Sequence, residues 1–175
     1  RVLSAGYGTE AQSATQVDRD SPHQIAMRQS AILEIGALEH CGGVPATGLL
    51  EVLAHGEDGQ GRYITIFDLV PGTSLDKILQ QQGSLSFETA RAITVKVCAA
   101  LSCLHEAGCV HMDIKPQSIF VELDQQDPIV TLSWSGIARA VDQPPDETGI
   151  IYGSLGYMSP EQLMGNRATT PAVDI

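Results

Sequence analysis

The sequence predicts an α+β chain whose strands gather in its first part and whose helices gather in its second. Three observations predict it. Two apolar, β-branched runs, Leu49–Ala54 and Arg62–Val70, flank the turn dipeptide Asp58-Gly59 and read as an antiparallel hairpin. Ile93, Val97, Ala100, Leu101 and Leu104 form one helical stripe, at offsets of 4, 7, 8 and 11 from Ile93. Short strand-like pieces, Ile119–Leu123 and Ile129–Leu132, follow that stripe.

Element by element, residues 1–21 are rich in Gly, Ser and Thr and read as turn plus weak strand. His23–Arg28 reads as a strand after the Ser21-Pro22 turn. Ser30 then caps a helix from Ala31 to about His40, with Ala31, Ile35 and Leu38 on one face and Gly42-Gly43 as its stop. After the hairpin, Pro71-Gly72 turns the chain, and Ser74 caps a short helix, Leu75–Gln82, ended by Gly83. Ser86 caps the strongest helix, from Phe87 to about Ala107, ended by Gly108. Cys109 heads a strand-like run, and long loop follows the last strand pieces. The change in character divides the chain into 1–69, a hinge at 70–73, and 74–175.

At 175 residues the chain is one domain or part of a larger one. With 43% apolar and 18% charged residues it can bury a core. Ten Lys+Arg against 21 Asp+Glu leave a net charge of −11, which argues against nucleic acid and anionic membranes as partners. No apolar run reaches the roughly 18–20 residues that cross a bilayer. No secretory signal is visible, and the chain opens on Arg1, so a missing or processed start and a cytoplasmic location are expected. Cys41, Cys98, Cys103 and Cys109 form no C-x-x-C pair and are expected as reduced thiols in the core, not as zinc ligands.

One stretch carries chemistry. His111-Met112-Asp113-Ile114-Lys115-Pro116-Gln117-Ser118 resembles the catalytic loop of eukaryotic-type Ser/Thr protein kinases, H-R-D-L-K-P-x-N. Gly153-Ser154-Leu155-Gly156-Tyr157-Met158-Ser159-Pro160-Glu161 is similar to the end of their activation segment, and Val173-Asp174-Ile175 resembles the start of their large central helix. The resemblance implies a two-lobed protein-kinase-like fold: a small β-rich N-lobe with one helix, and an incomplete, mainly helical C-lobe. Because the later helices of that lobe are not in the sequence, the chain is expected to be a fragment.

Phosphoryl transfer is mostly positioning and charge neutralisation. The resemblance implies that Asp113 acts as base, that Lys115 steadies the transferred phosphoryl, and that Ser154 ties the substrate platform to both. It makes Glu34 the helix acid that pairs a strand lysine, and Asp174 the acid that braces the catalytic loop. Gly6 and Gly8 would belong to a phosphate-covering loop. Ala26 and Phe120 would sandwich adenine, the backbone of Asp68, Leu69 and Val70 would bind its edge, and Phe67 would close the back of the pocket.

The departures from the pattern matter as much. Ser118 holds the position of a metal-binding Asn, and Trp134 that of the Asp in D-F-G. Mg²⁺ needs oxygen ligands, and an indole has none. Arg28 holds the strand-lysine position, where a planar fork is a poor substitute for a compact ammonium. Ser135 breaks an apolar column that would include Leu38 and His111, and Met112 replaces the Arg that would read a phosphate on the activation segment. The expectation is a pseudokinase-like regulatory or binding module with a protein partner, weak ATP binding and no Mg²⁺. An active Ser/Thr kinase with an atypical site and a fragment without function are the alternatives.

Overall fold

The computed structural model describes Ile25, Arg28, Ala31, Ile32, Ile35 and residues 48–58, 63–123, 127–133, 136–141, 151–165 and 170–175. Ile25, Arg28, Ala31, Ile32 and Ile35 are all helical. This corrects the strand expected over His23–Arg28 at both of its described residues, and it places a helix ahead of Ser30. The local composition explains the result: Gln24, Ala26, Met27 and Arg28 all favour a helix, and Ile25 is the one β-branched residue among them. Ile35 is buried while Ile25 and Ile32 face outward.

The hairpin pairs β1 (Val52–Glu57) with β2 (Tyr63–Phe67), antiparallel, with a bulge between Val52 and Ala54. The ladder continues from the Asp68 N–H to the Glu51 carbonyl. β1 begins later than its apolar run because Leu49 and Leu50 are used elsewhere. Leu50 is buried, its N–H donates to the Leu132 carbonyl at 3.0 Å, and the Leu132 N–H donates to the Gly48 carbonyl at 2.7 Å. Those bonds tie the first part of the chain to the second.

At the hinge, Gly72 has φ +83°, and a Cβ there would lie 2.5 Å from the Val121 carbonyl oxygen. Glycine is required on both counts, conformation and space. Thr73–Ser74 then forms a short strand, β3. It pairs with Val121 and Phe120, so the upper end of the expected hinge is already part of the C-lobe sheet. α1 (Leu75–Gln82) follows, although the Ser74 side chain makes no capping bond. α2 (Phe87–Glu106) does carry its predicted cap, with Ser86 Oγ accepting the Thr89 N–H at 3.1 Å.

β4 (Cys109–Val110) pairs with β7 (Arg139–Ala140), while β5 (Ile119–Glu122) and β6 (Ile129–Leu132) complete the sheet ordered β3-β5-β6. The α2 stripe of Ile93, Val97, Ala100, Leu101 and Leu104 packs with Ile78, Ile119, Val121, Val130 and Leu132 into one core. The strands are too short to bury both faces, so the long helix closes the sheet. Cys109 lies in that core, Cys103 is half-buried and Cys98 is exposed, none of the three in a disulfide, and Cys41 lies outside the described residues. The expectation of core thiols is therefore corrected at Cys98, which sits off the apolar stripe. Among the described residues no helix is long and apolar enough to cross a membrane.

Small elements unmarked by periodicity complete the described chain. α3 (Pro160–Leu163) has a capping box between Ser159 and Gln162 with Pro160 in its first turn. One-turn 3₁₀ helices cover Pro116–Ser118 and Pro171–Asp174. The latter stands where the start of a long central helix was expected.

Candidate active site

The loop from His111 to Ser118 leaves the β4–β7 pair, crosses above the core and enters β5. Its sharpest point is Met112, at φ +73°, a left-handed conformation that side chains other than Gly rarely adopt. Asp174 holds that point. Its side chain is fully buried, its Oδ2 accepts the His111 N–H at 2.8 Å, and its Oδ1 accepts the Met112 N–H at 2.8 Å. His105 Nε2, from the last turn of α2, lies 2.8 Å from the same Oδ2.

His111 fixes Asp113, two positions on. Its Nδ1 accepts the Asp113 N–H at 3.3 Å, which puts the ring proton on Nε2, where it is donated to the Ser133 carbonyl at 2.9 Å. Burial pushes the imidazole's pKa below its ordinary value, outweighing the favourable contact with the Ser133 carbonyl, so the ring is neutral near pH 7.

Asp113, Lys115 and Ser154 come together as the sequence led one to expect. Asp113 is only 8% exposed. Lys115 Nζ donates to Asp113 Oδ2 and, at 2.6 Å, to Ser154 Oγ. The Ser154 N–H donates to Asp113 Oδ1 at 2.8 Å, and its hydroxyl lies 3.1 Å from Oδ2. The cluster is thus a sheltered carboxylate with an ammonium at its side and a serine locking the two segments. Such a carboxylate can accept a hydrogen bond from an incoming hydroxyl, and the ammonium can meet an anionic group.

Ser118 sits differently from a metal ligand. Its hydroxyl accepts the Lys115 N–H at 3.2 Å and donates to the Lys115 carbonyl at 2.8 Å, which closes the Pro116–Ser118 turn. The residue is buried, and one lone pair is left on its oxygen. Among the described residues no group of three or more His, Cys, Asp or Glu side chains could hold a metal ion.

At the hinge the Asp68 N–H is committed to Glu51, and the Leu69 N–H to its neighbour's Asp68 Oδ1 at 2.7 Å. That leaves the Val70 N–H as the next donor along this edge. Phe67 and Phe120 are both half-buried, one ending β2 and the other on β5. Arg28 is the residue the structure moves: it is helical, with Nη1 3.6 Å from Glu57 Oε1, so it does not occupy a strand-lysine position. Gly6, Gly8, Ala26, Glu34, Leu38, Trp134 and Ser135 lie outside the described residues.

Two contributors escaped sequence reasoning. His105 has no metal-ligand spacing to flag it, although a His in the last turn of the helix preceding the loop was a usable signal. Gln162 is buried, and its Nε2 donates to the Met112 carbonyl at 2.9 Å and the Tyr152 carbonyl at 3.3 Å. The spacing Ser159-Pro160-Glu161-Gln162 could have flagged its capping box, but not its reach to the loop.

With this geometry in view, comparison with known proteins defines the class. The protein kinase domain family matches residues 11–175, and the chain belongs to that family. It is 37% identical over 134 residues to the serine/threonine-protein kinase PknA of Mycobacterium tuberculosis, covering 73% of this chain and 30% of that protein. It is 36% identical over 118 residues to the "Probable serine/threonine-protein kinase CPE1738" of Clostridium perfringens, covering 67% of this chain and 17% of that protein. A third relative, PknD of Mycobacterium tuberculosis, is 36% identical over 110 residues, with 62% of this chain and 16% of that protein covered. The chain thus spans less than a third of the length of these relatives. The α+β kinase fold of Ser/Thr lineage expected from the motifs is the one found.

Proposed function

We propose that this chain is a Ser/Thr-type kinase domain with an assembled catalytic loop but an impaired cation site, and that it serves as a cytoplasmic regulatory or docking module for a protein partner. The observation that carries the proposal is Ser118: at the position of a metal ligand, its hydroxyl is turned back onto the Lys115 peptide. Trp134, at the second metal-ligand position, adds to this from sequence alone, since its side chain carries no oxygen. Losing a single electrostatic stabiliser typically lowers a rate by about 10²–10³, and parts of one unit tend to fail together. Nucleotide could still dock on the edge carrying Val70, with Phe120 beneath it, as a weak ligand without metal.

The second reading is an active Ser/Thr kinase with an atypical site, in which Asp113 orients a substrate hydroxyl and Lys115 meets the phosphoryl group. It is favoured by the intact Asp113–Lys115–Ser154 cluster. Calorimetry of the full-length protein with ATP, with and without Mg²⁺, separates the two. The impaired-site reading expects weak binding that Mg²⁺ does not improve. A gain of about tenfold or more on adding Mg²⁺, together with phosphate transfer that disappears in Asp113→Ala, would establish the second reading instead.

A further inference from the structure

Met112 is the strained residue of the catalytic loop, and both of its peptide polar groups are held by side chains from distant segments. Asp174 takes its N–H, and Gln162 donates to its carbonyl at 2.9 Å. The same Gln162 amide nitrogen donates its second proton to the Tyr152 carbonyl at 3.3 Å, two residues before Ser154. Its oxygen accepts the Ser159 N–H at 2.9 Å, so both amide protons and the oxygen are engaged. Gly153 leaves it room: a Cβ there would lie 3.3 Å from Gln162 Nε2 and 3.0 Å from Met158 Cγ. The Arg139 guanidinium stacks 4.9 Å from the centroid of the Tyr152 ring, tying the segment before Ser154 to β7.

We propose that Gln162 is a positioning residue of this site: its carboxamide joins the left-handed Met112 peptide and the extended segment entering Ser154 into one unit, so that Ser154 meets Asp113 and Lys115 in the unmodified chain. The inference rests on reading Asp113, Lys115 and Ser154 as the site. Gln162 touches none of the three. It acts through the residue before Asp113 and through the segment before Ser154. A glutamate cannot replace it, because its ionised carboxylate would set acceptors against two carbonyls while still accepting from Ser159.

Amide hydrogen exchange on the full-length protein tests this. In Gln162→Glu the Ser154 amide, which bonds Asp113, exchanges faster by about tenfold or more relative to the Val97 amide in α2. Ser159→Ala removes the cap oxygen but keeps both carboxamide donors, and leaves that ratio unchanged. Should Gln162→Glu fail to fold, Gln162→Asn carries the same groups one methylene short and raises the ratio by a smaller factor. Equal acceleration at Ser154 and Val97, or an unchanged Ser154 amide in a folded variant, would reduce Gln162 to a structural helix cap and overturn the proposal. The measurement uses no nucleotide, so Mg²⁺-dependent ATP binding would sink the impaired-site reading and leave this one standing.

Discussion

Asp174 is the residue on which the catalytic loop depends most. It gathers two loop N–H groups and His105 around a carboxylate with no exposed surface. Asp174→Ala strands those donors, and chemical denaturation is expected to report a loss of about 3–5 kcal/mol. Met112→Val places a β-branched side chain at φ +73° and is expected to cost roughly 1–3 kcal/mol in the same assay, whereas Met112→Gly relieves the strain. His111 gives a pH signature. Because burial holds its pKa below the ordinary 6.5, the unfolded chain takes up the proton first as pH falls. The neutral ring's contribution is whole above about pH 6.5 and is lost below it, with a limiting slope of about 1.4 kcal/mol per pH unit. His111→Gln, which cannot titrate, should flatten that limb of a stability-versus-pH curve. The motif located all three residues, but it did not disclose that Met112 is left-handed or that Gln162 holds it. A backbone angle and a contact fifty residues away leave no periodicity behind.

Among elements, α2 was the most legible. Its stripe covers five buried positions, and its cap at Ser86 is present as read. Ser86→Ala is expected to destabilise the protein by about 1 kcal/mol, measured by thermal or urea unfolding. The hinge was legible only as a turn. Its steric requirement at Gly72 comes from β5, almost fifty residues further on, and Gly72→Ala is expected to cost about 2–4 kcal/mol and to loosen the β3–β5 pairing. The strand expected over His23–Arg28 was misread because a six-residue stretch whose apolar residues, Ile25, Ala26 and Met27, sit together at its centre shows neither period. Helix propensity decided it. α3 and β7 were overlooked because elements of four and two residues carry too little pattern to be seen.

Among the described residues, the buried core lies where the long helix covers the β3-β5-β6 sheet. The β1–β2 hairpin presents Leu53, Ile64 and Ile66 at 56%, 36% and 47% exposure, and a two-stranded ribbon with little burial is marginal in water. Its amides are expected to exchange markedly faster than those of β5 and β6, which pack on α2. The sequence by itself determined the family and the core face of α2, and it singled out Asp113, Lys115 and Ser154 as residues that would meet, because these rest on residue types at fixed short spacings. Tertiary structure alone decided that Ser118 turns its hydroxyl into the loop and that Asp174 and Gln162 clamp Met112 from both sides. Those outcomes are set by contacts between segments far apart in the chain, whose geometry no local pattern encodes.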